Sequence, residues 1–150
     1  MKHFGVRLSH KAFDAAPALD ILVVPGGQGT RREVGNEALL AWIARAATEC
    51  RWVTSVCTGA LLLAAAGPAC GRRVTTHWGF VEALRARGEV AEVLENIRYV
   101  RDDNVVTAAG VSAGIDMALW LIGQLHSPAL ARAVQRRMEY DPAPPYAAEV

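Results

Sequence analysis

The chain has 150 residues, the length of one domain, and its 52% hydrophobic and 21% charged residues exclude a chain that stays unfolded. Its formal net charge of +1 provides no overall field for nucleic acid or anionic lipid, so we expect neither as a partner. The three cysteines show no CxxC spacing, which argues against a disulfide framework and a zinc site, and we expect no metal, no cofactor and a reducing, cytoplasmic location.

The order of elements along the chain is typical of an α/β domain. Short apolar runs alternate with longer segments of helical period, a pattern that predicts βαβ units and a mainly parallel sheet. We expect a single domain over residues 1–150. The longest apolar run, residues 59–67, is too short to cross a bilayer, so we expect no membrane segment.

The first predicted unit covers residues 20–48. A β-branched run at 20–24 predicts a strand that is buried on both faces, and the Pro-Gly-Gly run that starts at Pro25 ends it. Asn36 is a typical N-cap for a helix that we predict through residue 48. The apolar stripe of this helix predicts packing on the sheet.

The second unit contains an abrupt turn from strand to helix. Residues 52–56 predict a buried strand that passes without a spacer into Cys57 and a helix over 61–66. A short strand is predicted at 73–76, followed by His77. An amphipathic helix over 78–87 then ends at a glycine.

The last third of the chain predicts a hairpin and two helices. Residues 97–101 and 105–108 are typical of a hairpin whose turn residues tolerate unusual backbone angles. A nearly apolar helix is predicted over about 113–125, and another from Ser127 to about 139, ahead of an extended proline-rich tail at 141–145. The apolar helix suits burial within one protomer or an interface, and the sequence leaves both open.

Cys57 is the candidate nucleophile. A residue between a buried strand and a helix is forced onto a sharp turn, so its side chain points out of the sheet. The N–H groups and the positive dipole at the start of the following helix favour a thiolate there. The alternative is a buried core cysteine, which is a common fate in apolar runs. Cys50 and Cys70 lack this position, and we expect no role for them.

Gly26 and Gly27 are candidate substrate-binding or oxyanion residues. They follow the strand at 20–24, and ligands collect at the carboxyl ends of strands in open α/β sheets, so we expect them near Cys57. Bare backbone N–H groups can approach a negative charge closely. The alternative is an ordinary turn that ends a strand. Residues 26–30 match neither a P-loop nor GxGxxG, so nucleotide binding has little support.

His77 and Asp116 each admit two interpretations. The His77 imidazole could orient the cysteine or contact substrate, or it is a structural histidine bonded to backbone. Asp116 lies in the most apolar predicted helix, where an ionised carboxylate needs a partner. We interpret it first as a packing or interface group, with a direct role as the alternative. The four tryptophans are interpreted as packing residues, since no basic stripe interleaves them.

Four motifs carry a resemblance to a known family. They are DILVVPGG at 20–27, SVCTGA at 55–60, TTHW at 75–78 and AGIDMAL at 113–119. In this order they resemble the ThiJ/PfpI superfamily, which implies a flavodoxin-like three-layer sandwich with a mainly parallel sheet, within the class I glutamine amidotransferase-like fold. Cys57 followed by Thr58, with EYDPAPP at 139–145, is most similar to the isocyanide hydratases. The proteases and amidases of the superfamily instead place histidine directly after the nucleophile.

The resemblance also implies a departure at the N-terminus. The family begins with a strand, a helix and a second strand before anything like residues 2–17, and that segment carries an acidic residue that faces the nucleophilic sulfur. We expect this chain to lack the segment, and neither Glu33 nor Asp116 matches the acid. A sheet without its central strand exposes an apolar edge, which predicts a homodimer.

The activity that the resemblance implies is conversion of isocyanides to N-substituted formamides. Cys57 would attack the terminal carbon of a small-molecule isocyanide, and water would release the formamide. Backbone N–H groups of Gly26, Gly27 and Thr58 would hold charge and water. Because the family's acid is expected to be absent, an inactive fragment is part of this expectation. The alternatives are a non-catalytic redox- or ligand-sensing domain, as in some AraC-type regulators, and a glyoxalase- or deglycase-like member.

Overall fold

A four-stranded sheet forms the centre of the molecule. The computed structural model describes residues 16–141. The strands are β1 Ile21–Val24, β2 Trp52–Val56, β3 Arg73–Val74, β4 Glu92–Val93, β5 Tyr99–Asp102 and β6 Val105–Ala108. The order in the central sheet is β1-β2-β6-β5, in which β1, β2 and β6 are parallel and β5 runs antiparallel to β6. The predicted α/β class with a mainly parallel sheet is confirmed.

Helices connect these strands at nearly the predicted positions. They are α1 Thr30–Glu33, α2 Glu37–Ala47, α3 Gly59–Ala66, α4 Val81–Arg87, α5 Val111–Leu125 and α6 Pro128–Arg137, and a 3-10 turn at Trp78–Phe80 precedes α4. The side chain of Asn36 accepts the N–H of Leu39, and that of Ser127 accepts the N–H of Leu130, each at 3.2 Å. The predicted N-cap at Asn36 is therefore present, and Ser127, the predicted start of the last helix, is also an N-cap.

The helices cover both faces of the sheet and produce three layers. On one face, α2, α3 and α4 bury Ile43, Leu63 and Leu84. On the other face, Met117 of α5 packs in a cluster with Val106 of β6. Full burial of such side chains contributes about 1.5–3 kcal/mol each. α5 thus packs part of its apolar surface against the sheet within the protomer, which is one of the two options that the sequence left open.

The hairpin forms as predicted, with a shift of its first strand. β5 and β6 pair so that Tyr99 lies opposite Ala108 and Asp102 opposite Val105. Asp103 in the turn has a φ of 55°, in the left-handed region that aspartate tolerates better than most residues.

The strand predicted at 73–76 covers only two residues in the structure and is not part of the central sheet. β3 pairs with β4 in a separate two-stranded parallel sheet. Beyond β3, the N–H of Thr75 donates to Thr107 Oγ1 at 2.8 Å, so a side-chain hydroxyl replaces the strand ladder there. His77 therefore does not end a strand of the central sheet. Two-residue strands such as β4 carry no periodicity, which is why the sequence did not predict it.

Two expectations lie outside the described residues. The departure at the N-terminus falls on residues before 16, and the proline-rich tail falls almost wholly on residues after 141. Within residues 16–141, no helix has the length and apolarity to span a bilayer.

Candidate functional site

Cys57 occupies a strained turn between β2 and α3. Its φ of 57° lies in the left-handed region, which costs a residue other than glycine roughly 1–2 kcal/mol. Its N–H donates to the carbonyls of Ala109 at 2.8 Å and Ala108 at 3.0 Å. Its own carbonyl accepts a hydrogen bond from Thr76 Oγ1 at 2.9 Å. These three bonds hold the backbone in the strained conformation.

The three cysteines have different environments. Cys50 is buried, Cys57 is half-buried and Cys70 is exposed. The Cys50 thiol donates to the carbonyl of Ala46 at 3.1 Å, and burial raises the pKa of this thiol, which favours its unreactive protonated form. Cys57 is thus not a sealed core residue.

Glycine permits the turn at Cys57 to lie directly against the turn after β1. A Cβ on Gly26 would lie 2.7 Å from Cys57 Cβ and 2.8 Å from the Thr58 backbone nitrogen. A Cβ on Gly59 would lie 2.2 Å from the carbonyl oxygen of Val24. Only glycine fits such backbone contacts. The two turns converge at the carboxyl ends of β1 and β2, as the sequence predicts.

Thr58 fastens the glycine turn with its side chain. Its Oγ1 accepts the Gly27 N–H at 3.0 Å and lies 3.0 Å from Thr30 Oγ1, while Thr30 Oγ1 donates to the Gly27 carbonyl at 2.8 Å. Thr58 is 3% exposed, so its hydroxyl holds the turn and does not face solvent. The Gly27 N–H is engaged by this bond, which corrects the expectation that it is free for a substrate charge. The sequence carried no signal for Thr30.

His77 caps the 3-10 turn. Its Nδ1 accepts the Gly79 N–H at 3.2 Å, which places the proton of the neutral ring on Nε2. Its ring faces Trp78 and Phe80, with ring centres 5.5 and 6.2 Å away. A Cβ on Gly110 would lie 3.9 Å from His77 Cδ2, so the ring lies beside the loop after β6. No hydrogen bond joins this ring to Cys57 within residues 16–141. The structural interpretation of His77 is the one that the geometry supports.

The two carboxylates considered from the sequence have partners elsewhere. Glu33 accepts hydrogen bonds from Asn36 at 2.7 Å and Arg32 at 2.8 Å, which lower its pKa. Asp116 pairs with Arg98 Nε at 2.5 Å. Asp116 therefore has the partner that a carboxylate in an apolar helix needs. Across residues 16–141, no three His, Cys, Asp or Glu side chains cluster to hold a metal ion.

Two known proteins are similar to most of this chain. The chain is 43% identical over 134 residues to isonitrile hydratase of Pseudomonas putida, a match that covers 89% of this chain and 58% of that protein. It is 34% identical over 129 residues to the HTH-type transcriptional regulator GbdR of Pseudomonas aeruginosa, covering 85% of this chain and 34% of the regulator. The chain thus spans roughly a third to three fifths of these relatives' lengths.

A solved structure and a family profile complete the comparison. A ThiJ/PfpI family protein from Pseudomonas syringae has a TM-score of 0.81 and 36% identity, over 92% of this chain and 57% of that chain. The flavodoxin-like, class I glutamine amidotransferase-like fold is confirmed by this likeness. Residues 2–124 match the DJ-1/PfpI family. From the motifs, the fold and these matches, the chain belongs to the DJ-1/PfpI (ThiJ/PfpI) family.

Proposed function

We propose that the chain carries the nucleophile of an isocyanide hydratase-like enzyme and that this nucleophile is Cys57. The observation that carries the proposal is the half-buried thiol on a left-handed turn against a glycine turn. Strained residues that are held by several bonds concentrate at functional sites. The 43% identity to isonitrile hydratase supports the choice of substrate class.

The proposed reaction has two steps. The Cys57 thiolate attacks the terminal carbon of an isocyanide, and that carbon takes up a proton, which gives a thioimidate. Water then adds to the same carbon and the carbon–sulfur bond breaks, which releases an N-substituted formamide and the thiol. The backbone N–H groups of Gly26 and Thr58, which adjoin Cys57, are proposed to hold charge and water during these steps.

The group that supplies the proton in the first step determines the rate that we expect. Glu33 and Asp116 are occupied by other partners, so we propose that water supplies this proton in the described site. A positioned general acid contributes roughly 10²–10⁴-fold to rate. We therefore expect slow turnover by this chain.

The proposal includes a cytoplasmic homodimer. β1 is the last strand on its side of the sheet among the described residues, and Val23 on this strand is 54% exposed. An open apolar edge pairs readily with another chain. Three free cysteines suit a reducing compartment.

The experiment separates the two steps. The 150-residue chain, Cys57→Ala and the matched control Cys50→Ala are incubated with an aryl isocyanide. Intact-protein mass spectrometry detects the thioimidate as a gain of the isocyanide's mass, and chromatography detects the formamide. We expect the adduct and slow formamide production with wild type and Cys50→Ala, and neither with Cys57→Ala. Equal formamide production by Cys57→Ala, or no adduct on wild type, would show that the proposal is wrong.

A second candidate function is a ligand- or redox-sensing domain. It is favoured by the 34% identity to GbdR, a transcriptional regulator, over 85% of this chain. In that case mild peroxide would add oxygen to Cys57 in preference to Cys50 and Cys70, and isocyanide would form no adduct. Peptide mass spectrometry after peroxide treatment measures this selectivity, and equal oxidation of the three residues contradicts a redox sensor.

A further inference from the structure

Arg98 is linked to Cys57 through two backbone hydrogen bonds. The Ala109 N–H donates to the Arg98 carbonyl at 2.9 Å, and the Ala109 carbonyl accepts the Cys57 N–H at 2.8 Å. Arg98 immediately precedes β5, whereas Ala109 immediately follows β6, so the contact lies where the open end of the hairpin meets the site. Any displacement of Ala109 therefore changes the bond that holds Cys57 in its left-handed conformation.

The Arg98 side chain holds the far end of the same loop. Its Nε pairs with Asp116 Oδ2 at 2.5 Å, and both terminal nitrogens donate to Ser112 Oγ at 3.2 Å. Ser112 and Asp116 lie one turn apart at the start of α5. The N-cap of this helix is Gly110, which provides no side-chain cap. The guanidinium thus ties side chains of the first two turns of α5 to the segment that precedes β5.

Tyr140 fixes the position of this ion pair. Its hydroxyl donates to Asp116 Oδ1 at 2.9 Å and lies 3.4 Å from an Arg98 nitrogen. Glu139, with a φ of 51°, ends the last helical turn, and the Tyr140 N–H then donates to the Gln135 carbonyl at 3.2 Å. The end of α6 therefore presents the phenol to Asp116 in a defined place.

We infer that Arg98 is a positioning residue for Cys57. Its carbonyl and its guanidinium fix the two ends of the loop at residues 109–110, and Asp116 and Tyr140 hold the guanidinium in place. This inference rests on the proposed role of Cys57 as the reacting residue. The side chains of Arg98 and Asp116 are 52% and 21% exposed, and ion pairs this exposed contribute little to global stability. A change in Cys57 reactivity is thus separable from unfolding.

The test measures alkylation of Cys57 by iodoacetamide from pH 6 to pH 10. The thiolate displaces iodide and forms a thioether, and peptide mass spectrometry resolves the rates at Cys57 and at the exposed Cys70. Arg98→Met removes the guanidinium and keeps the backbone carbonyl. The matched control is Arg85→Met, since Arg85 is likewise a partly exposed arginine in ion pairs, here with Glu82 and Glu95, and its side chain is 41% exposed.

We expect Arg98→Met to lower the Cys57 alkylation rate roughly three- to tenfold and to shift its pH midpoint, with Cys70 unchanged. Arg98→Lys, which can reach Asp116 without spanning Ser112, should give a partial loss. Tyr140→Phe is a more conservative variant that can be measured in the same way if Arg98→Met does not fold. We expect it also to lower the alkylation rate of Cys57.

Failure of the inference about Arg98 and failure of the proposed role of Cys57 give different results in this test. An unchanged or faster Cys57 rate and an unchanged pH midpoint in Arg98→Met and Tyr140→Phe would overturn the inference. Wild-type Cys57 that reacts no faster than Cys70 would instead overturn the role of Cys57 itself. Iodoacetamide reports on the sulfur whether or not isocyanides are substrates, so failure of the hydratase assay leaves this test intact.

Discussion

At residue scale, the site depends on two glycines beside Cys57 as much as on the Cys57 sulfur itself. Gly26 and Gly59 permit two backbone turns to touch at Cys57, and neither position has space for a Cβ. Cys57 itself keeps its side chain in a conformation that favours glycine. The strain is maintained because Ala109 and Thr76 bind both polar groups of its backbone.

The first prediction concerns Gly59→Ala. The added methyl group would meet the Val24 carbonyl at 2.2 Å, so β1 and α3 must move apart. We expect the free energy of unfolding to fall by about 1–3 kcal/mol in urea titration, with slower Cys57 alkylation. In the control Gly35→Ala the nearest atom is 3.8 Å away, and stability should stay the same or rise by up to about 1 kcal/mol. Equal stability of both variants would contradict the backbone contact.

At the scale of elements, one carboxylate joins the two sheets. Asp102 at the end of β5 accepts the Arg73 N–H of β3 at 2.9 Å and pairs with Arg72 at 3.5 Å. The backbone bond, with the positive charges of Arg72 and Arg73, lowers the pKa of Asp102 below its ordinary value. β3 leads to Thr76 and His77, so this contact anchors the segment that binds the Cys57 carbonyl.

The second prediction follows from the pKa of Asp102. A carboxyl group whose pKa is lowered on folding adds stability above its ordinary pKa, and this stability is lost as pH falls through the folded value. We expect Asp102→Asn to be less stable than wild type near pH 6, with the difference disappearing toward about pH 2. Thermal melts across this range measure it. Asp103→Asn is the control, because Asp103 is 72% exposed and asparagine tolerates its φ of 55°. A difference that does not depend on pH would contradict the assignment.

At the scale of the whole molecule, the sheet has two unlike edges. β5 ends one side as the outer strand of a hairpin, and β1 ends the other side among the described residues. Ile21 is half-buried and Val23 is exposed on β1, so apolar side chains lie at this edge of the sheet as the described residues form it. Strand edges of this kind invite association.

The third prediction is that the chain sediments as a homodimer. Val23→Lys places a charge on the open edge, which disfavours strand pairing, and should shift the equilibrium toward monomer. Ala38→Lys, on the exposed side of α2, is the control and should leave the dimer unchanged. Sedimentation velocity measures all three proteins, and a clean wild-type monomer would contradict the prediction.

Periodicity made most of the fold predictable. β1, β2, α2 and the hairpin of β5 and β6 lie within two or three residues of the predicted positions, because apolar period and turn residues act locally. The pairing of β3 with β4 was not predictable, since two-residue strands carry no period and the Thr107 hydroxyl, which accepts the Thr75 N–H, replaced the expected ladder.

The amino-acid sequence by itself determined the α/β class, the place of Cys57 at a strand-to-helix junction and the glycine turn beside it, because these features follow from neighbours along the chain. Only the tertiary structure decided the partners of distant side chains. Thr58 engages Gly27, and Arg98 engages Asp116 and Tyr140, over separations of 31, 18 and 42 residues. Such contacts depend on how elements pack in space, and no local pattern encodes them.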